Sequence, residues 1–391
     1  MKQKKVVVGL SGGVDSSVAA FLLKQQGYEV VGLHMRTENP ETRAEDEERV
    51  RELCSELEIE CVVVDYFDHM QKVKDYFVNE YLAGRTPNPC VVCNKEVKFK
   101  PFLEYVEKLN ADYFATGHYA IVEHNENGHF LKKAVDKEKD QSYFLCQLSS
   151  EQISKVLFPL GELTKQEVRK IAEQNNLITK NTKESYDVCF LGSQKFKDYM
   201  RENHPEKPGN IVDKKTNKVV GTHTGISKYT IGQRRGLNIG GKNGYALDRW
   251  FVVDKNVKTN TLYVSCGESD MMFSSGCVVE NFNWISNQMQ GEFECFAKLR
   301  YRQADQQTKV EVVDEKTVRL TFKDKQRSVT IGQFAVLYNE NGTCLGGGTI
   351  VSCTQWRMRI SRLKVKQFSN EFYFFNNVNK KYFANFSEIK K

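Results

Sequence analysis

Apolar residues follow two different rhythms along this chain. In the first half, short apolar runs alternate with helix-spaced stretches. Val6-Val7-Val8-Gly9-Leu10 is a β-branched run that ends in a Ser/Gly turn. Ser16 to Gln26 follows, with Val18, Ala19, Phe21, Leu22 and Leu23 on a helical spacing that stops at Gly27. A second buried-type strand (Glu29 to Met35), a helix from about Glu41 to Leu57 and a third strand (Cys61 to Asp65) continue the alternation. A helix over Lys98 to Lys108 and a strand over Ala111 to His118 come next. This order predicts an α/β domain with a doubly wound parallel sheet, a layout that binds ligands at the carboxyl ends of its strands.

The rhythm changes around Pro205 to Gly209, where short strands and frequent glycines take over, among them Gly221, Gly225, Gly232, Gly236, Gly240, Gly241 and Gly244. From about Ser275 onward, Val278-Val279, Glu294 to Tyr301, Lys309 to Val313, Val318 to Phe322 and Ala335 to Tyr338 read as strands separated by turns, which predicts a small antiparallel β-barrel. The expected units are therefore 1–205, a small central domain over 206–274, a barrel over 275–350 and a tail over 351–391.

Composition narrows the class. A length of 391 residues suits two or three domains, and 40% hydrophobic with 27% charged residues is the balance of a folded protein. No apolar run is long enough to span a bilayer, and the five apolar-rich residues Val6 to Leu10 are too few for the core of a secretory signal, so a cytoplasmic address without a membrane is expected. Eleven irregularly spaced cysteines argue for reduced thiols with catalytic or metal-binding chemistry rather than a disulfide framework. The formal charge of +7 is carried entirely by Thr354 to Lys391, and the other 353 residues hold 48 charges of each sign. Bulk charge therefore does not establish a polyanion partner.

The turn Ser11-Gly12-Gly13-Val14-Asp15-Ser16 joins the first strand to the first helix. Glycines there let backbone N–H groups approach phosphate oxygens at a helix N-terminus, and Ser11, Ser16 and Ser17 can add hydroxyl donors. Asp15 sits oddly beside a polyanion unless it organises the loop or helps to hold Mg²⁺. No Gly-Lys-Ser/Thr follows, so this is not a Walker A loop. It resembles the SGGxDS loop of the PP-loop ATP pyrophosphatases.

A second constellation is Gly84-Arg85-Thr86-Pro87-Asn88-Pro89-Cys90-Val91-Val92-Cys93-Asn94-Lys95, with Asp187-Val188-Cys189-Phe190 far downstream. Pro87 and Pro89 are read as a rigid turn that presents Cys90 and Cys93 before a helix starting near Lys95, whose N-terminus and ammonium would both favour thiolate. Alternatives are a pair of buried cysteines or a zinc site, although no second CxxC stands at zinc-ribbon spacing.

With Ala115 to Tyr119, Lys139 to Leu145 and Thr230 to Leu237, these motifs resemble the MnmA family of tRNA-specific 2-thiouridylases, in order from about residue 5 to 350. The resemblance implies ATP-dependent adenylation of the C2 oxygen of a wobble uridine in tRNA, then replacement of that oxygen by sulfur, giving 2-thiouridine, AMP and pyrophosphate. By motif position, Cys189 would carry a persulfide delivered by a sulfur-relay protein or cysteine desulfurase, and Cys93 would attack to release it. Gly9, Leu10, Ser11, Gly12, Gly13, Val14, Asp15, Ser16, Met35 and Gly117 would contact ATP. Asn88, Pro89 and Cys90 would face the target base, and His118, Lys139, Asp140, Gln141, Arg300, Tyr301 and Gln333 would lie near the tRNA. For His118 and for Lys139 to Gln141, the residues alone, without the resemblance, point rather to a structural histidine and a solvated turn.

Many family members carry Asp where this chain has Cys90. Cys90, Cys93 and Cys189 are therefore also a candidate three-thiolate set for a 4Fe-4S cluster, a second sulfur route. The stretch from Met35 to Cys61 is shorter than the family's, and the aromatic, basic tail is a candidate RNA-contacting arm. Other classes compatible with the loop are a different PP-loop ligase or amidotransferase-like synthetase, which would not need the three cysteines, and a non-catalytic RNA-binding protein, which would not need the loop.

Overall fold

Val6, Val7 and Val8 are wholly buried, as a β-branched run between two helical layers requires. The computed structural model describes residues 3–37, 40–126, 128–183, 188–191, 196–240, 248–285 and 288–355. Strands of the first half are β1 (Lys5–Gly9), β2 (Glu29–Arg36), β3 (Glu60–Asp65), β4 (Tyr113–Ala115), β5 (Ala120–Asn125), β6 (Gly128–Lys133) and β7 (Val156–Leu157). Five of them form a parallel sheet in the order β3-β2-β1-β4-β7, and β5 pairs with β6 as a hairpin. The chain builds outward from β1 on one side and returns to β4 on the other, so the crevice beyond the ends of β1 and β4 is the topological switch point.

Helices α1 (Val14–Gln25), α2 (Pro40–Glu56), α3 (Phe67–Leu82), α4 (Pro89–Cys93), α5 (Lys100–Lys108), α6 (Ser150–Lys155) and α7 (Lys165–Gln174) accompany the sheet, with a π-helical segment, Asn94–Phe99, between α4 and α5. Two expectations need correction. The strand expected over Ala111 to His118 is only Tyr113–Ala115, because Thr116, Gly117 and His118 leave the sheet to line the crevice. The expected rigid turn before Lys95 is instead the start of a helix at Pro89, where Asn88 caps the first turn by accepting from the Val91 N–H (3.4 Å). Proline suits the first helical position because the missing N–H would have no intrahelical partner there.

The next sheet contains β8 (Gly209–Asp213), β9 (Val219–His223), β10 (Trp250–Asn256) and β11 (Thr261–Cys266), in the order β10-β11-β8-β9 with a parallel β11–β8 pair. The last strands are β12 (Phe273–Trp284), β13 (Glu292–Lys298), β14 (Gln306–Asp314), β15 (Thr317–Arg327), β16 (Phe334–Tyr338) and β17 (Cys344–Gln355). They close an antiparallel six-stranded barrel. Along β15 the buried Val318, Leu320 and Phe322 alternate with exposed residues, the period-2 signature of a strand with one face inward. Sequence patterning, whose last strand was Ala335 to Tyr338, left β17 with its Gly346-Gly347-Gly348 unread. Glycine is needed there because a Cβ on Gly346 would collide with the Asn283 carbonyl of β12.

No described helix is long and apolar enough to cross a membrane. The basic tail beyond residue 355, Asp187 of the downstream cysteine motif, Gly241, Gly244, Glu38 and Asn39 lie outside the described residues.

Candidate functional site

The phosphate-type loop is braced mainly by itself. The Ser11 N–H donates to Ser16 Oγ (3.2 Å), Ser16 Oγ donates to the Gly13 carbonyl (3.1 Å), and Ser17 Oγ donates to the same carbonyl (2.9 Å). The Ser11 and Ser16 hydroxyls also meet, at 3.3 Å, so all three hydroxyls are engaged inside the loop, and Ser11 is the exposed one of the three. Gly13 caps α1 without any side-chain cap, and nothing but Ser11 Oγ stands within 4 Å of a Cβ built on it. The first-turn N–H groups of α1 are therefore open to an anion. Gly117, arriving from β4, packs so tightly on this turn that a Cβ would come within 2.7 Å of the Asp15 carbonyl carbon and the Ser16 nitrogen.

Asp15 turns inward. Its Oδ1 accepts from Tyr119 Oη (2.8 Å) and from Lys165 Nζ (2.6 Å), with the Lys165 side chain only 11% exposed. Of the two roles open to Asp15, organising the loop is the one its contacts show. Lys165 was missed by sequence reasoning, yet it left a signal. Thr164 and Glu167 form a capping box that puts a lysine in the first turn of α7, where the helix dipole disfavours a cation unless a carboxylate waits for it.

A cavity of about 350 Å³ opens at the switch point, and its lining includes Gly9, Ser11, Asp15, Ser16, Met35 and Gly117 together with Lys98, His118, Cys93 and Cys189. Cys93 is buried, Cys90 partly so and Cys189 exposed, and no disulfide joins the described cysteines. Burial pushes the Cys93 thiol up to about 12 and the Cys90 thiol up to about 11, with Lys98 pulling both back and Cys189 adding to the rise. Among the described residues no group of three His, Cys, Asp or Glu side chains is arranged to hold a metal ion. Lys95 does not serve these thiols as expected, because its Nζ donates to Gln147 Oε1 (3.2 Å).

The other expected site residues divide into two groups. Gln333 Nε2 donates to the carbonyls of Thr86 (3.0 Å) and Pro87 (3.2 Å), and the Thr86 N–H donates to the Ile331 carbonyl (2.9 Å), so the barrel holds the Thr86–Asn88 loop directly. Arg300 links the units through one nitrogen, which donates to the carbonyls of Ile231 (3.2 Å) and Ser328 (2.7 Å) and to Thr330 Oγ1 (2.6 Å). The Tyr301 ring lies 4.3 Å from that of Phe144, tilted by 39°. Asp140 is 3% exposed and accepts from the N–H groups of Ala134 and Ser142 and from Ser142 Oγ. Gln141 lines the cavity while its Oε1 accepts from the Tyr119 N–H (3.0 Å), and Lys139 lies half-buried before it. His118 Nδ1 is 2.8 Å from Thr116 Oγ1, and burial among Phe99 and Phe158 holds its imidazole well below the usual range, hence neutral.

Three family models match the chain in succession: a tRNA methyl transferase HUP domain over residues 4–193, a tRNA methyl transferase PRC-barrel domain over 197–266 and an aminomethyltransferase beta-barrel domain over 274–350. The chain is 47% identical over 359 residues to the tRNA-specific 2-thiouridylase MnmA of Oceanobacillus iheyensis, covering 89% of this chain and 95% of the relative. It is 46% identical over 358 residues, with the same coverage, to the protein of that name from Bacillus mycoides. Among solved structures, the U34-tRNA thiolase NcsA from Methanococcus maripaludis with its 4Fe-4S cluster aligns with 52% of this chain and 67% of its own at 22% identity and a TM-score of 0.34, too loosely to bear on mechanism.

Proposed function

The chain belongs to the MnmA family of tRNA-specific 2-thiouridylases and is an ATP-using tRNA 2-thiouridine sulfurtransferase, and from that premise we propose how its crevice divides the work. The observation that carries the reading is the shared lining: the phosphate loop, Cys93 and Cys189 border one cavity.

ATP lies with its pyrophosphate over the first-turn N–H groups of α1, against Gly9 to Ser16, with Met35 and Gly117 flanking the nucleotide. Mg²⁺, when bound with ATP, would offset the phosphate charge, and Asp15 would be a poor ligand for it because it is already bonded to Lys165 and Tyr119. The C2 oxygen of the wobble uridine attacks the α-phosphorus and expels pyrophosphate, which turns a poor electrophile into one with a leaving group. Asn88, Pro89 and Cys90 face that base, and His118, Lys139, Asp140, Gln141, Arg300, Tyr301 and Gln333 shape the tRNA-facing wall, several of them by holding loops rather than by touching RNA.

Cys189, exposed and so open to a sulfur-relay protein or cysteine desulfurase, carries the sulfur as a persulfide. The Cys93 thiolate attacks the Cys189 sulfur and the persulfide S–S bond breaks. The released hydrosulfide adds at C2 and expels AMP, and the Cys93–Cys189 disulfide left behind is reduced by an external thiol. The exposure of Cys189 beside the buried Cys93 supports this route, and stoichiometric iron in active, anaerobically purified protein would replace it with one through a 4Fe-4S cluster. We assign residues 1–205 to ATP binding and catalysis, 206–274 to tRNA contact and 275–350 to the barrel, in a cytoplasmic enzyme.

The test is thiolation of tRNA by Cys189→Ser and Cys93→Ser. Both should lose 2-thiouridine formation, by at least about a thousandfold, while keeping tRNA-dependent pyrophosphate release. Thiolation retained by Cys189→Ser would refute the assignment.

A further inference from the structure

The segment from Thr230 to Gly236 belongs to no strand or helix, yet it is pinned along its length. Gln233 staples it from within: its Oε1 accepts from the Thr230 N–H (3.0 Å) and its Nε2 donates to the Arg235 carbonyl (2.9 Å). The Gly232 N–H donates to the Val252 carbonyl (2.8 Å), and the Val252 N–H donates to the Gln233 carbonyl (3.0 Å). Lys255 Nζ donates to the Tyr229 carbonyl (2.8 Å), and Tyr229 and Leu237, one at each end of the segment, are buried in the core of the central domain. Gly232 has φ +84°, where a side chain would be strained and would also meet Ser328.

The neighbouring units hold the same loop. Arg300 of the barrel donates to the Ile231 carbonyl (3.2 Å), and Thr86 Oγ1, at the start of the cysteine loop, donates to Thr230 Oγ1 (3.4 Å). None of these restraints uses the side chain of Arg234 or Arg235. Both arginines are exposed, and among the described residues neither guanidinium makes an ion pair or hydrogen bond. Exposure alone does not single them out, because Lys215 and Lys218 in the β8–β9 turn are exposed too. What singles them out is a loop tied at once to the barrel and to the cysteine loop. A loop fixed in advance lowers the ordering cost of binding, and the planar fork of arginine matches a phosphate bidentately.

We propose that Arg234 and Arg235 bind phosphates of the tRNA backbone near the target uridine, so that the central domain sets the register of the RNA while the cysteine loop faces the base. Phosphate contacts of this kind position a nucleic acid without reading its sequence. The span is short: Arg234 is four residues from Thr230, at most about 14 Å of chain. Thr230 in turn meets Thr86, two residues before Asn88. The phosphates within reach therefore belong to the arm of the tRNA that carries the wobble position. Because the chain outside its tail is formally neutral, attraction for RNA has to come from local groups such as these. The inference rests on the assignment of residues 206–274 to tRNA contact and gives that assignment its residues.

The experiment measures binding of unmodified tRNA by the full-length protein from about 50 to 200 mM salt. Three double variants are compared with the parent: Arg234→Gln with Arg235→Gln, Arg234→Lys with Arg235→Lys, and Lys215→Gln with Lys218→Gln, which removes the same charge from another turn of the domain. The first should weaken binding by about tenfold or more and reduce the slope of log Kd against log salt by roughly one to two. Its KM for tRNA in the pyrophosphate assay should rise in step. The lysine pair should keep the parent's salt slope, and the Lys215/Lys218 variant should bind as the parent does. An unchanged Kd and slope in the glutamine pair overturn the proposal, as does an equal loss in the Lys215/Lys218 variant, which would make the effect one of bulk charge. Amide hydrogen exchange of the parent with and without tRNA separates this from the domain assignment. Protection elsewhere in 206–274 beside an inert glutamine pair defeats the arginines alone, whereas no protection anywhere in 206–274 defeats the assignment itself.

Discussion

The two loops that meet in the crevice are held in opposite ways. The loop from Ser11 to Ser16 is braced largely by hydrogen bonds between residues three to five apart, with Lys165 and Tyr119 anchoring Asp15 from outside. The Thr86–Asn88 loop that leads to Cys90 and Cys93 is held by Gln333, Ile331 and Thr230, each more than a hundred residues away. A locally braced turn can form once its strand and helix exist. A remotely braced one reaches its geometry only after the barrel has closed and docked, because long-range contacts must overcome loop-closure entropy first. Activation chemistry thus sits on a self-sufficient motif, and sulfur chemistry sits on an element that reports the state of the whole assembly.

The comparison can be broken most severely at the phosphate loop. Gly117→Val forces a side chain into the Asp15–Ser16 backbone, and displacement of the loop by about an ångström should reduce pyrophosphate release by about a hundredfold or more. Steady-state pyrophosphate assays with tRNA present check this, and near-parent release would show that the loop tolerates the shift. Gln333→Ala is expected to act on the other loop alone. Loss of its two donated hydrogen bonds is worth about 1–2 kcal/mol, so thiolation should slow by about tenfold while KM for ATP stays constant. A raised KM for ATP with unchanged thiolation would reverse the assignment of the two loops. The smallest effect is alkaline. With the Cys93 thiol held up to about 12 against an ordinary 9.0, the unfolded chain releases a proton between those values that the native state keeps, so stability falls as pH rises through that window. Urea midpoints at pH 8 and pH 10 should show the decline, and Cys93→Ser should make it shallower.

Legibility in the sequence follows the same division. SGGVDS, its strand and its helix were readable because every determinant lies within one turn of the chain, and β15 was readable because its buried positions alternate. Lys165 was not, since its importance comes from meeting Asp15 across 150 residues. The helix start at Pro89 was missed because proline was weighed as a breaker and not as a first-turn residue. In β17, glycines demanded by the neighbouring strand gave no strand pattern to read. For Lys165 and for β17 the missing information was the identity of a distant neighbour.

The grip of Gln333 on the carbonyls of Thr86 and Pro87 also bears on how the molecule can be taken apart. The barrel is an appendage by sequence order, but it forms one wall of the cysteine loop. A chimera that exchanged the barrel at its linker would have to carry the Thr330–Gln333 turn and the Gly84–Asn88 segment as a matched set, and those two stretches should therefore change in step when such enzymes diverge.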